Sequence, residues 1–269
     1  EITYGDWSSD VCSSDLAARL HDLEVDRGEV GVVRKFHFAE PALEEAFDLF
    51  FQKTGRRYGS LESYRCEDAE YIIVGMGCYM ETCQAAVDYL REKKGIPVGC
   101  LNVVCFRPFP SRQIVDALKN CTAFTVLERM DDPLSTTGNH LTREIKAAFC
   151  DAITGMNGLE KIDKIPRIYS GAAGLGSRDV RPGDIFAVVD NMMEDGQDYF
   201  CVGIDHALAL KVKEDPDLRE PGSFSMRGHS IGGFGSVTTN KVIATIAGDV
   251  FGMDRSEEHT SELQSPYVI

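Results

Sequence analysis

The sequence predicts an α/β fold, in which a mainly parallel sheet has helices on both faces and is followed by a truncated second α/β domain. Three observations predict it. Short apolar segments alternate along the chain with longer segments of helical periodicity. A polar stretch with two prolines, at 211–222, then interrupts this alternation. A glycine-rich turn and an amphipathic run, VTTNKVIATIAGDVF, follow the interruption, as expected at the start of a second folding unit.

The predicted strands are apolar in continuous runs rather than at alternate positions. Continuous runs are typical of strands buried on both faces, and helices between such strands indicate right-handed crossovers and parallel pairing. The predicted strands are 71–77, 97–106, 123–128, 165–169 and 199–204. The predicted helices are 40–54, 79–94, 111–119, 137–153 and 182–193.

Both ends of the sequence match translated sequencing adapters. DWSSDVCSSDL at 6–16 and RSEEHTSELQS at 255–265 correspond, codon by codon, to the two strands of a common library adapter. Natural polar tails are the alternative, but they would not match adapter codons twice. We therefore expect residues 1–16 and 255–269 to be artefacts, and the rest to be an internal fragment of an open reading frame.

The composition limits the partners of this chain. It contains 43 Asp and Glu residues against 28 Lys and Arg residues, and no apolar run approaches the ~20 residues of a membrane span. An acidic chain of this kind is expected to bind neither nucleic acid nor a membrane. Its cysteines form no C-x-x-C pair, so we expect reduced thiols in a cytoplasmic protein and no metal site.

The glycine-rich turn has the features of a phosphate-binding site. It contains Gly228, Gly232, Gly233 and Gly235. Glycines let backbone amides approach a ligand, and the N-terminus of the following helix favours an anion. Arg227 and Lys241 add positive charge on either side. Turns of this composition also serve plain packing, so the turn alone leaves both interpretations open.

A series of segments carries a family resemblance. YIIVGMGCYMETCQAAVDYL, GCLNVVCFRPFPSRQIVDAL, TVLERMDDP and IPRIYSGAAGLGSRDVRPGDIFAVVDNM follow one another in order. The series resembles the pyruvate:ferredoxin oxidoreductase family, in its domain similar to the C-terminal domain of transketolases. The resemblance spans roughly 40–253. It implies the end of a preceding domain and a connecting helix at 17–63, the transketolase-C-terminal-like domain at 64–210, a linker at 211–222 and the start of a gamma-type domain at 223–254.

The resemblance also implies a ligand for the turn. In the family the gamma-type domain contributes to coenzyme A binding, through a pattern of arginine, glycine-rich turn and Val-Thr. The residues that match this pattern and are implied to bind coenzyme A are Arg227, Gly232, Gly233, Gly235 and Thr238. Phe234 replaces a residue that is often polar in the family, and His229–Ile231 differs from the loops of pyruvate-specific members.

The implied function is that of a 2-oxoacid:ferredoxin oxidoreductase, with pyruvate as the leading substrate. The complete enzyme would use thiamine diphosphate, Mg²⁺ and iron–sulfur clusters, transfer the acyl group to coenzyme A and reduce ferredoxin or flavodoxin. It would be a large homo-oligomer in which other domains or subunits complete the enzyme. The fragment itself is expected to hold no cofactor, metal or catalytic residue. The alternatives are the C-terminal domain of a transketolase or oxoacid dehydrogenase, and a non-enzymatic module that binds coenzyme A or a nucleotide.

Other charged residues near predicted strand and helix ends have structural interpretations. Glu81 suits electrostatic capping of a helix N-terminus. Arg107 follows a strand, and we expect it to form an ion pair at a domain interface; the same applies to Glu128 and Arg129. His140 is expected at the surface. GAAGLG at 171–176 resembles a nucleotide loop, but the next helix begins too late, so a structural turn is expected. His206 has no expected ligand role.

Overall fold

The computed structural model describes residues 39–219 and 236–252, and the chain divides into two compact units at Leu218 and Arg219. The first unit alternates strands and helices as the sequence predicts. Its elements are α1 (Ala39–Thr54), β1 (Leu61–Tyr64), β2 (Tyr71–Gly75), α2 (Tyr79–Lys94), β3 (Val98–Val103), α3 (Ser111–Leu118), β4 (Ala123–Glu128), α4 (His140–Thr154), β5 (Arg167–Ala172), α5 (Pro182–Met193) and β6 (Tyr199–Cys201).

The strands within 39–219 form a six-stranded sheet in the order β1-β3-β2-β4-β5-β6. All neighbours from β3 to β6 pair in parallel, with Ile73 of β2 opposite Cys100 of β3 and Thr125 of β4. β1 runs antiparallel to β3 at one edge. The mainly parallel sheet is therefore confirmed, and β1 is an additional strand that the sequence analysis did not predict.

Two hydrophobic cores lie on opposite faces of the sheet. Ile73 packs with buried side chains of α2 and α5, whereas its neighbours Ile72 and Val74 pack with those of α3 and α4. On the second face the rings of Phe124 and Phe149 stack with centroids 5.6 Å apart. Because both faces are covered, the central strands must be apolar at every position, which explains their continuous runs. Helices on both faces are thus confirmed.

The helices begin and end at residues suited to those positions. α2 and α4 end at Gly95 and Gly155, both in the left-handed conformation that glycine adopts without strain. α5 begins at Pro182, and the buried carboxylate of Asp184 accepts a hydrogen bond of 2.9 Å from the amide of Arg181. These ends fix the lengths of the helices that cover the sheet.

Several element boundaries differ from the prediction. β2, β3 and β6 end two to three residues earlier than predicted. α4 begins at His140 rather than at 137, because the side chain of Asn139 holds the preceding loop through the amide of Asp132 (2.9 Å) and the carbonyl of Met130 (2.8 Å). β5 covers 167–172 instead of 165–169. Its small residue Gly171 lies against Phe200 of β6, where a larger side chain would not fit.

The described part of the second unit is the helix α6 (Ser236–Phe251). It coincides with the amphipathic run that the sequence predicts after the glycine-rich turn. The side chains of Val242, Ile246 and Val250, spaced four residues apart, are exposed. In neither unit does a described helix combine the length and hydrophobicity needed to cross a membrane.

Candidate functional site

The loops after β2, β4 and β5 meet at one edge of the sheet, and we call residues 76–78, 129–132 and 173–178 the carboxyl edge. β2 lies between β3 and β4; the connection after β2 leads to β3 on one side, and the connection after β4 leads to β5 on the other. In open parallel sheets the crevice beside such a reversal is the usual position of a ligand. A ligand-binding or catalytic site in this domain is therefore expected at the carboxyl edge.

Tyr79 lies beneath the carboxyl edge and links the ends of β2 and β4. Its buried hydroxyl donates a hydrogen bond to the carbonyl of Leu127 and accepts one of 3.3 Å from the amide of Met76. Burial is the main reason that the pKa of this hydroxyl lies well above its usual value. Tyr79 therefore stays protonated and joins the two strand ends. The sequence analysis missed it, although a tyrosine directly after a strand and a glycine turn was a usable signal.

Arg129 is an exposed cation of the carboxyl edge. Its Nη1 lies 3.8 Å from the thiol of Cys78, which is itself exposed at the start of α2. The guanidinium rests on Gly174, where a Cβ would approach Nε to 2.8 Å. The side chain thus bridges the loops after all three strands, β2, β4 and β5. Arg129 forms no ion pair with the described residues, and the expectation of an interface ion pair for it stays a prediction.

Glu128 has a different role from the one expected. Its carboxylate is 7% exposed and accepts hydrogen bonds from the amides of Leu141 (2.7 Å) and Thr142 (3.1 Å). It also accepts one of 2.8 Å from the hydroxyl of Thr142. These donors belong to the first turn of α4, whose amides have no partner within the helix. Glu128 caps α4 inside the domain, so the expectation of an interface ion pair was wrong for this residue.

Arg107 forms an ion pair, but within the domain. Its Nη2 lies 2.7 Å from Oε1 of Glu144 on α4, and its guanidinium stacks 4.2 Å from the ring centroid of Phe106. Both members of the pair are partly exposed. The ion pair expected for Arg107 is therefore present. It does not lie at a domain interface as expected, because Glu144 belongs to a helix that covers the same sheet.

The other residues considered as functional candidates have contacts typical of structural roles. Glu81 is exposed in the first turn of α2, and His140 is exposed at the start of α4, 3.9 Å from Asp132. The segment 171–176 ends β5 and enters a short turn, with α5 beginning only at Pro182, as expected for a structural turn. His206 accepts a hydrogen bond of 3.1 Å from the amide of Leu208.

The described cysteines do not fit an iron–sulfur cluster. All eight are free. Burial raises the pKa of the Cys66 thiol to about 11 and those of Cys100 and Cys121 to about 12, which favours the protonated thiol over the thiolate that a metal needs. Across 39–219 and 236–252, no three His, Cys, Asp or Glu side chains are grouped as metal ligands. This part of the chain therefore also contains no group of carboxylates placed to bind Mg²⁺.

Comparison with known proteins identifies the domain. Residues 69–185 match the model of the pyruvate:ferredoxin oxidoreductase core domain II. A pyruvate-flavodoxin oxidoreductase of Enterobacter agglomerans is 31% identical over 222 residues, which cover 80% of this chain and 18% of that protein. The chain belongs to the pyruvate:ferredoxin oxidoreductase family. The matched range contains β2 to β5 and the start of α5, and hence the carboxyl edge.

Two further comparisons extend this result. The pyruvate synthase subunit PorA of Methanothermobacter thermautotrophicus is 36% identical over 147 residues, 55% of this chain and 34% of that subunit. A solved 2-oxoglutarate:ferredoxin oxidoreductase from Magnetococcus marinus, with 2-oxoglutarate, coenzyme A and succinyl-CoA bound, aligns with 57% of this chain and 24% of its own. Its TM-score of 0.35 and identity of 16% are too low to inform on function. The chain therefore spans 34% of the PorA subunit and 18% of the Enterobacter agglomerans protein.

The residues predicted to bind coenzyme A lie mostly beyond the described ranges. Arg227, Gly232, Gly233 and Gly235 are outside the described residues. Thr238 belongs to the first turn of α6, which begins at Ser236, directly after the predicted turn. Lys241 is exposed one turn further along this helix. For a member of the pyruvate:ferredoxin oxidoreductase family, these positions remain the predicted coenzyme A site.

Proposed function

We propose that this chain is part of a 2-oxoacid:ferredoxin or flavodoxin oxidoreductase, which oxidatively decarboxylates a 2-oxoacid and transfers the acyl group to coenzyme A. The observation that carries the proposal is the similarity to a pyruvate-flavodoxin oxidoreductase over 80% of this chain. Pyruvate is the leading substrate because both the matching domain model and the curated relatives reported above are named for it. The activity belongs to the complete protein, of which the chain is a fraction.

The described domain contributes structure rather than chemistry to this activity. Three ionisable groups at strand and helix ends, Glu128, Arg107 and Asp184, are each bound to a neighbour. The described cysteines do not fit a cluster. We propose that thiamine diphosphate, Mg²⁺ and the iron–sulfur clusters are held by other domains or subunits of the complete enzyme. The role of this domain is to hold those parts in position.

The proposed coenzyme A contacts are the guanidinium of Arg227 and the amides of Gly232, Gly233 and Gly235, together with Thr238. Phosphate groups bind well where glycine amides lead into a helix N-terminus, because the unpaired amides and the helix dipole both favour negative charge. α6 supports the proposal, since it provides a helix after the glycine-rich stretch of the sequence.

A substitution in the complete enzyme tests these contacts. Arg227→Ala is expected to raise KM for coenzyme A by roughly tenfold or more, as for loss of a charge-assisted hydrogen bond, while KM for pyruvate stays unchanged. Arg112→Ala is the matched control, because Arg112 is an exposed arginine of the first unit that lies outside the carboxyl edge. An unchanged KM for coenzyme A in Arg227→Ala would remove this residue from the site.

An assay of the complete enzyme tests the reaction itself. We expect reduction of ferredoxin or flavodoxin that requires both pyruvate and coenzyme A and yields acetyl-CoA. Ketol transfer without acceptor reduction would favour the transketolase-type alternative, and coenzyme A binding without turnover of any 2-oxoacid would favour the non-enzymatic module. Either result would overturn the proposal.

We further propose that the complete enzyme acts in the cytoplasm as a homo-oligomer. The eight free cysteines of the described ranges support a reducing compartment. Light scattering on the purified complete enzyme measures the assembly, and a monomer at working concentration would contradict the second part of this proposal.

A further inference from the structure

Residues 208–218 form the end of the first unit and contain no helix or strand of their own; we call this segment the strap. It begins beside β6, where the amide of Cys201 donates to the carbonyl of Leu208 (3.1 Å) and the amide of Leu210 donates to the carbonyl of Cys201 (3.0 Å). A parallel bridge between Cys201 and Ala209 results. The sequence analysis assigned 211–222 to a linker because of its polar residues and prolines, yet residues 211–218 contact the domain.

Beyond Leu210 the strap is held by ionic side chains. Asp215 accepts a hydrogen bond of 2.8 Å from the amide of Gly183 and lies 3.2 Å from Nη1 of Arg181. Lys213 lies 2.9 Å from Asp190 on α5 and 3.0 Å from Glu194, which directly follows this helix. Glu214 forms an ion pair with Lys94 at the end of α2. The strap thus has charged contacts to two helices that cover the same face of the sheet.

The apolar contacts of the strap are shallow. Leu210, Val212 and Leu218 alternate with exposed residues and are half-buried against the domain. Gly183 in the first turn of α5 permits the close approach, because a Cβ there would lie 2.6 Å from Val212. No residue between 203 and 219 is fully buried, in contrast to the strands of the sheet.

We propose that the strap is a releasable segment, in which residues 211–218 detach from α2 and α5 while the domain stays folded. Segments with few buried contacts open at low free-energy cost, well below that of global unfolding. Exposed ion pairs contribute modestly and are screened by salt, so the release increases with ionic strength. Detachment frees eight residues, which extends the connection toward the second unit by up to ~27 Å.

Amide hydrogen exchange on the full chain tests the proposal. Protection of the strap is measured at the amide of Gly183, which donates to Asp215, and is compared with that of β4, at low salt and in about 1 M NaCl, where the Debye length falls to about 3 Å. We expect salt to accelerate exchange in the strap by roughly fivefold or more, the combined effect of several weak ion pairs. Exchange in β4 is expected to stay unchanged.

Two variants test the ionic contacts of the strap separately from its apolar contacts and backbone hydrogen bonds. Asp215→Asn keeps an acceptor for the Gly183 amide but removes the charge beside Arg181, and Lys213→Gln removes the pairs with Asp190 and Glu194. Both are expected to accelerate exchange in the strap at low salt and to weaken its response to salt. Asp205→Asn, at an exposed aspartate before the strap, is expected to change neither.

The proposal fails if exchange in the strap responds neither to salt nor to Lys213→Gln, whose exposed side chain carries no risk to folding. It also fails if the strap and β4 accelerate together by the same factor, since the strap would then open only when the whole domain unfolds.

Discussion

Glu128 Oε2 accepts hydrogen bonds from both the amide and the hydroxyl of Thr142, at 3.1 and 2.8 Å. The second carboxylate oxygen accepts one of 2.7 Å from the amide of Leu141. The end of β4 and the beginning of α4 are therefore fixed by the same buried charge. The hydroxyl of Thr142 also lies 3.0 Å from that of Ser170 on β5, which extends the link to the next strand.

We predict that Glu128→Gln lowers the free energy of unfolding by about 2–3 kcal/mol, because the carboxamide would present N–H groups to amide donors and leave buried groups unpaired. Urea denaturation measures the change. Glu81→Gln is the matched control, since Glu81 is exposed in the first turn of α2, and its loss should stay below about 1 kcal/mol. Equal losses in the two variants would contradict the capping role.

Gly171→Ala is predicted to strain the junction of β4, β5 and β6. An added Cβ would lie 2.6 Å from Phe200 and 2.9 Å from Leu127, both fully buried. Overpacking of this kind typically costs about 1–3 kcal/mol. Thermal unfolding or urea denaturation provides the measurement. Gly59→Ala is the control, because the nearest atom to its added Cβ would be 3.5 Å away. Equal losses of stability in the two variants would contradict the predicted overpacking at Gly171.

For Arg107 and Glu144 we predict a small coupling energy. The pair is partly exposed, so a double-mutant cycle with alanine at each position is expected to give about 0.2–1 kcal/mol, decreasing with salt. The Arg107→Ala variant should also lose the contact of its guanidinium with Phe106. A coupling energy far above 1 kcal/mol, or one insensitive to salt, would contradict the view of a screened surface pair.

Stability is predicted to fall above about pH 9. Burial raises the pKa of the Cys66 thiol from 9.0 to about 11, so the folded state keeps a proton that the unfolded chain has lost. The contribution is complete below the unfolded pKa and disappears as the pH rises through the folded value. Cys66→Ser should flatten the decline by up to about 1.4 kcal/mol per pH unit. Urea denaturation between about pH 8 and pH 10 measures the slope.

The exposed thiol of Cys150 provides the reference for this measurement. Cys150→Ser is expected to leave the slope unchanged. If the two serine variants gave the same pH dependence, burial of Cys66 would not be the source of the effect.

Most of the sheet could be predicted from the sequence because burial on both faces leaves a strong signal. Ile72, Ile73 and Val74 are apolar in succession for two different cores, and each predicted strand and helix has a counterpart in the structure. β1 could not be predicted in this way. Its sequence LESY is polar in the middle and pairs on one side only, so it produces no continuous apolar run.

The contacts of the carboxyl edge were less predictable because they join residues far apart in the chain. Nothing in the sequence around Glu128 shows that the first turn of α4 will lie beside it, or that Arg129 will rest on Gly174. The strap did leave a signal, the alternation of Leu210 and Val212 with charged residues. Its prolines and charged residues led instead to the prediction of a linker at 211–222. The coenzyme A site rests on residues of the second unit and stays a prediction.

The two margins of the sheet have a consequence for association between copies of the chain. Unpaired strands at a margin invite intermolecular pairing and fibril growth unless they are short, charged or covered. β1 has four residues and presents Glu62 and Ser63 to solvent, and β6 has three residues and is covered by Leu208–Leu210. Both margins are thus poor templates, which should keep the domain dispersed at high concentration and during folding.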